Sequence, residues 1–333
     1  MRRVLVLRGG AIGDVILTLP ALGALRLAFP NARIDIMGDA KRLCLARHPA
    51  YADAIADAER REMYRLFSRE PRVPQQLAAY LSAFDLILSY LPTPDATLAD
   101  NLRQHCPGEV IAWPPQPRGG THVTDHLLQP VLRLASQPPP AEPRVYPGTE
   151  ARQAADRFWR SAGLPERGVL AVHPGSGGRH KLWPLEGWQH VIAWADREGV
   201  PGVLICGPAE AERNLGPLLS GLSPSWKVLR NASLLNLAGI LAKCDVFAGH
   251  DAGVTHLAAA VGTRTLALFG PTDPLVWGPR SQRACVMSPA PLAPLGLDNL
   301  PAEAVIQTLR AMTDGTFQFN PSDLEYTRLQ VSA

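Results

Sequence analysis

The chain has 333 residues, 46% of them hydrophobic and 19% charged, with a formal net charge of +3. That length accommodates two domains with separate cores, and the composition excludes a disordered chain. Neither half is basic enough for a nucleic-acid binder, and the five cysteines are too widely spaced for a local metal-chelating motif, which points to free thiols in a reducing compartment.

The N-terminus imitates a signal peptide, because Arg2 and Arg3 precede an apolar run. Arg8 and Asp14 interrupt that run, and the uncharged stretch 15–25 has 11 residues, short of the roughly 20 that cross a bilayer. A strand, a glycine loop and a helix account for the same letters, so a cytoplasmic protein with no transmembrane segment is expected. Further apolar runs of strand length fall at 33–37 and 85–89, then at 169–173, 203–206, 227–229, 246–249 and 265–269. Helical patterns at 185–196, 209–219, 234–244 and 254–261 alternate with the later runs. Such alternation predicts parallel sheets built from right-handed βαβ units. Pro138, Pro139, Pro140, Pro143 and Pro147 make 136–148 a stiff extended linker, and a helical stretch at 151–162 opens the second half. The expected fold class is therefore α/β, with domains 1–147 and 148–333. Each is a Rossmann-like, doubly wound domain, and the two face a cleft at the carboxyl ends of their strands.

Three motifs follow strands. Arg8-Gly9-Gly10-Ala11-Ile12-Gly13-Asp14 leads from the first strand into a helix. Its glycines allow a sharp turn, and Asp14 either caps the helix or points its carboxylate into the cleft. The second motif runs from His173 to Pro184. Small residues there leave amides and the Ser176 hydroxyl open to phosphate, and Lys181 adds a compact charge. A plain glycine turn with a solvated lysine is the alternative. The third motif runs from His250 to His256, with Val254, Leu257, Ala258 and Val261 as the stripe of a helix packed on a sheet. Asp251, Gly253 and Thr255 then sit at the helix start, where a diphosphate is welcome. His256 lies off the apolar stripe, which argues against a core histidine and leaves a ligand or a surface residue. Arg61, Arg65 and Arg69 fall on one face of a possible helix, suited to anions or simply solvated. Trp183 and Trp277 either line the cleft or pack inside.

Taken together, these residues resemble the heptosyltransferase family that builds the inner core of bacterial lipopolysaccharide, glycosyltransferase family nine, with the GT-B fold. The resemblance runs from Arg3 to Leu309. It rests on the three motifs in order, with Leu-Thr-Leu-Pro at 17–20 after the first and Phe-Gly-Pro-Thr-Asp-Pro at 269–274 after the third. It implies an inverting, metal-independent transfer of heptose from ADP-heptose to a lipopolysaccharide inner-core hydroxyl. The ADP-sugar is then a co-substrate, and no cofactor is needed. Asp14 would be the general base, and Lys181 would stabilise the departing ADP. Ser176, Gly177, Asp251, Ala252, Gly253 and His256 would hold donor diphosphate and sugar, and Glu210 would touch the ribose. Gly13, Arg61, Arg65 and Arg69 would bind the acceptor, an anionic glycolipid at the inner face of the inner membrane, to which the protein would attach peripherally. The first domain would then bind acceptor and the second donor, with the C-terminal tail packing back on the first.

Two positions depart from the family pattern. Ala252 stands where Ser or Thr is common, which removes one hydroxyl contact to phosphate. A stretch running from Ser288 to Leu295 replaces the cysteine-rich segment of some members. Two other classes remain open: another GT-B nucleotide-sugar enzyme (an epimerase, a hydrolase, or a transferase with a different donor), and a non-catalytic nucleotide-binding module. The presence of both Asp14 and Lys181 argues against the second, because binding alone needs no base.

Overall fold

The structure, a computed structural model, describes residues 2–93, 95–134, 142–207, 215–289, 296–319 and 327–331. Two compact units are present, Met1–Pro143 and Arg144–Ala333. The first contains β1 (Arg3–Leu7), β2 (Arg33–Gly38), β3 (Ala54–Asp57), β4 (Leu86–Ser89) and β5 (Glu109–Ala112). They form one parallel sheet in the order β3-β2-β1-β4-β5. The central strands read as unbroken apolar runs because both faces of a parallel sheet are covered. Leu5, Leu7, Met37 and Ile87 pack with Leu77, Phe84, Leu98 and Leu102. The helix Ile12–Ala28 continues through Pro20, is buried over most of its length, and packs against the helix Val123–Leu132.

The second unit holds β6 (Leu170–His173), β7 (Gly202–Cys206), β8 (Trp226–Arg230), β9 (Val246–His250), β10 (Arg264–Leu268), β11 (Ala284–Pro289) and β12 (Thr327–Val331). Their order is β12-β11-β10-β9-β6-β7-β8, parallel throughout. Trp183, Trp188 and Trp194 dominate the core together with Val191, Leu204, Met287 and Leu309. Among the described residues, no helix is long and apolar enough to cross a membrane.

The eight apolar runs all become strands, and four further strands join them. β3 and β5 are short, partly exposed edge strands, and edges carry little apolar signal. β11 is buried, but Ser288 and Pro289 at its end break the expected pattern. β12 extends the second sheet, so this part of the tail, expected on the first domain, belongs to the second sheet instead. The expected helix 209–219 lies partly outside the described residues, and Gly216–Ser220 is helical. Residues 136–141 of the linker and 290–295 also lie outside them.

Candidate active site

In each sheet the chain winds outward in both directions from its first strand. Consecutive connections diverge there and open a crevice at the carboxyl ends of the two central strands. In the second unit these strands are β6 and β9, and the second and third motifs emerge from them side by side. Lys181 closes the short turn Arg179–Lys181, and its Nζ lies 2.5 Å from Asp251 Oδ2. Ser176, itself buried, donates its hydroxyl to the Asp251 carbonyl at 2.8 Å. The Asp251 amide donates to Leu268 O at the end of β10. Asp251 is thus held through its side chain and its backbone by the loop after β6 and the end of β10.

His250 ties the same loop down at both ends. Its Nε2 accepts the Trp183 amide at 2.8 Å, which places the proton on Nδ1, 3.3 Å from Gly175 O. The ring is fully buried and stands edge-on against Trp188. Trp183 is also buried, and its indole donates to Leu300 O, so it packs rather than lines a cleft. Trp277 packs partly buried beside Ala267, Phe269 and Val286.

Ala252 is the N-cap of the helix Gly253–Ala260, in extended conformation. Its carbonyl accepts the Thr255 and His256 amides, but its side chain carries no oxygen to cap a further first-turn amide, whereas Ser or Thr would. Gly177 is exposed, and a Cβ there would meet nothing within 4 Å, so packing inside the chain does not require this glycine. His256 departs from expectation. It is 6% exposed, as deep as the alanines around it. The stripe argument assumed one buried face, but Thr255 to Ala260 are all buried, because small side chains let neighbours approach from several sides. Glu210 lies outside the described residues.

In the first unit the central strands are β1 and β4, and the Arg8–Asp14 loop leaves β1. Asp14 is not the N-cap. The helix begins at Ile12 with Ala11 as cap, and Asp14 occupies the third helical position. From there Oδ2 accepts the Ala11 amide at 2.7 Å, the backward-reaching half of a capping box. Oδ1 lies 3.2 Å from Arg8 Nη2. Arg8 is 2% exposed and also donates to Thr18 Oγ1 and Asp14 O. Burial pulls its guanidinium below the usual arginine range, while the Asp14 charge pulls it back up. Gly10, at φ +97°, makes this geometry possible, since a Cβ there would lie 2.6 Å from Asp14 Oδ2. Gly13 lies in the first turn of the same helix. A cleft of about 560 Å³ opens at the ends of β1, β2 and β3, with Arg8, Gly9, Asp39, Asp57, Tyr64 and Leu91 among its walls.

The arginine face does not form. Glu62 takes a left-handed conformation at φ 54°, and Met63–Phe67 is a 3₁₀ turn, so the α-helical spacing is broken. Arg61 lies over the Tyr80 ring at 3.8 Å, Arg65 bonds Glu62 at 2.5 Å, and Arg69, 88% exposed, stands 3.8 Å from Asp95 Oδ2. Arg8 and His250, not singled out from sequence, are the buried polar residues behind Asp14 and Lys181. The available signal was a charged or imidazole group at the end of an apolar strand.

Comparison with known proteins decides the family. The model of glycosyltransferase family 9 (heptosyltransferase) matches residues 127–293. Lipopolysaccharide heptosyltransferase 1 of Pseudomonas aeruginosa is 30% identical over 298 residues, covering 82% of this chain and 79% of its own.

The chain belongs to glycosyltransferase family 9.

Lipopolysaccharide heptosyltransferase 1 of Escherichia coli K12 is 25% identical, with 93% of this chain and all of its own length covered. Among solved structures, a family 9 glycosyltransferase from Veillonella parvula superposes with a TM-score of 0.80 at 22% identity, covering 94% and 98% of the two chains. An Escherichia coli ADP-heptose LPS heptosyltransferase II gives 0.74 at 19% identity, covering 95% and 99%. The family 9 fold, α/β of GT-B class with two Rossmann-like units, is the fold class expected from the sequence. This chain is a glycosyltransferase, and its second and third motifs fall inside the family-matched segment.

Proposed function

We propose that this chain transfers heptose from ADP-heptose to a hydroxyl of the lipopolysaccharide inner core, with inversion at the anomeric carbon and without a metal ion. The names of its relatives support the substrate class. The observation that carries the reading is the Lys181–Asp251 pair beside the start of the helix Gly253–Ala260. An ammonium, a helix N-terminus and an open glycine suit a sugar diphosphate.

The chemistry is a single displacement. The acceptor oxygen forms a bond to the anomeric carbon as the bond from that carbon to the β-phosphate oxygen breaks, which inverts the centre. ADP leaves with the bonding pair. The acceptor proton passes to the Asp14 carboxylate, the general base. Negative charge grows on the leaving phosphate, where Lys181 and the amides of Ala252 and Gly253 neutralise it. Ser176 and Gly177 border the diphosphate. Asp251 holds Lys181 in place and accepts from a sugar hydroxyl, and His256 shapes the site from beneath. Glu210 is assigned to the ribose by resemblance alone. Gly13 and the most exposed of the three arginines, Arg69, address the acceptor, with Arg61 and Arg65 as supports. A glycolipid acceptor places the protein in the cytoplasm, peripherally at the inner face of the inner membrane.

One experiment separates the readings. The protein is incubated with ADP-heptose alone, then with a lipopolysaccharide inner-core acceptor, with and without a chelator. ADP release only when acceptor is present, unaffected by chelation, together with an inverted anomeric signal by NMR, is expected. ADP release without acceptor would make it a hydrolase, interconversion of the donor an epimerase, and no turnover a binding module.

A further inference from the structure

We infer that Arg8 is a positioning residue for the reaction, holding the Asp14 carboxylate in the orientation that receives the acceptor's proton. The inference rests on the reading of Asp14 as the base and assigns the group that aims it. A carboxylate has two oxygens and rotates freely unless both are held. Here Oδ2 is held by the Ala11 amide at 2.7 Å and Oδ1 by Arg8 Nη2 at 3.2 Å. Each oxygen keeps a further lone pair for an incoming hydroxyl.

The guanidinium is itself held from several sides. Its Nε donates to Thr18 Oγ1 at 2.8 Å and its Nη2 to Asp14 O at 3.1 Å, while the Thr18 hydroxyl donates to Asp14 O at 2.7 Å. Its backbone amide bonds Met37 O, and a Cβ at Gly38 would lie 2.1 Å from Arg8 O. The strand end is therefore shaped around this residue. Burying a guanidinium is unfavourable unless it is paired, and an apolar residue in its place often stabilises as well. The pair is also one-sided: the Arg8 side chain is 2% exposed and that of Asp14 30%. The cation is locked in the protein, and the carboxylate it orients opens outward.

The other polar groups nearby have different tasks. The Tyr90 hydroxyl donates to Leu127 O, and Arg42 donates to Gly10 O and pairs with Asp39. Asp39, Lys41, Asp57 and Glu59 line the cleft that Arg8 also borders.

The test is a double-mutant cycle on the full chain, with kcat and both KM values measured well below the melting temperature. Arg8→Gln is expected to lower kcat on the order of 10²-fold, as misaligned reacting groups do, with donor and acceptor KM nearly unchanged. Arg8→Lys, which keeps charge but cannot reach Thr18 and Asp14 together, should recover part of the rate. In an Asp14→Asn background, Arg8→Gln should cause no further loss, because its effect passes through that carboxylate. Losses that multiply in the double variant, or a KM rise that accounts for the whole effect, overturn the inference. If Arg8→Gln does not fold, Arg8→Lys alone decides, and full activity in it overturns the inference. Near-normal turnover in Asp14→Asn removes the base itself. An inactive Asp14→Asn beside a fully active Arg8→Gln removes only the role given to Arg8.

Discussion

Lys181 and Asp251 stand 70 residues apart in the chain and meet at 2.5 Å across the two central strands of the second sheet. Each sits on a loop that follows a strand, and only the adjacency of β6 and β9 brings the loops together. Lys181→Ala is expected to raise the donor KM and lower kcat. A hydrogen bond to a charged group contributes about 1.5–3 kcal/mol, which is roughly ten- to hundred-fold in kcat/KM. The variant also leaves the Asp251 carboxylate without its cation. Steady-state kinetics against ADP-heptose check this, and unchanged values remove Lys181 from the donor site.

Ala252 is a weak N-cap, because its methyl group cannot accept from the helix amides. Ala252→Ser should stabilise the protein by about 1 kcal/mol. For a unit of this size that is a rise of roughly 2–4 °C in melting temperature. A hydroxyl at that position also adds a contact for phosphate, so ADP affinity should rise. Calorimetric titration alongside thermal melts separates the two effects, and a fall in melting temperature contradicts the cap assignment.

Asp14→Asn removes basicity, but the change is not silent for stability. Arg8 is buried against the Asp14 carboxylate and would lose its countercharge. A loss of about 1–3 kcal/mol is expected, below the full value for a buried pair because Asp14 is partly exposed. Turnover should fall further, roughly 10²–10⁴-fold, with ADP affinity preserved. Turnover that tracks only the fraction folded would identify Asp14 as a structural group.

Gly10→Ala tests the loop geometry. The position has φ +97°, and the added Cβ meets the Asp14 carboxyl at 2.6 Å. Left-handed backbone costs an L-residue roughly 1–2 kcal/mol, and the carboxylate must also move. Both stability and kcat should drop while donor KM stays near wild type. Wild-type kcat in a folded Gly10→Ala protein contradicts a requirement for this carboxylate position.

The three arginines should behave differently from one another. Arg69→Glu, at an exposed position, should raise acceptor KM in a salt-sensitive way and leave donor KM alone. Arg61→Glu should chiefly lower the melting temperature, because it removes a cation–π contact worth about 0.5–1 kcal/mol at such a site. Equal effects of the two on acceptor KM would show that both reach the acceptor directly.

Much of the fold is legible in local pattern. A run such as Val-Leu-Val-Leu at 4–7, flanked by a glycine loop and a helical stripe, has few other solutions. The βα order also puts every loop after a strand at one edge of its sheet, so the three motifs could be placed at carboxyl ends before strand order was known. The edge strands Ala54–Asp57 and Glu109–Ala112 were not legible, because they are four residues long and half exposed.

The sequence by itself determined the alternation of elements and which polar side chains follow the strands. Those properties depend on neighbours within a few positions, where periodicity and turn chemistry act directly. Only the tertiary structure decided which groups touch. It joined Lys181 to Asp251, buried His256, clamped the glycine loop through His250, and made Asp14 an N3 carboxylate held by Arg8 and the Ala11 amide rather than the N-cap residue. It also dispersed Arg61, Arg65 and Arg69. Strand order and burial are set by packing among elements distant in the chain, and no window of neighbouring residues contains that information.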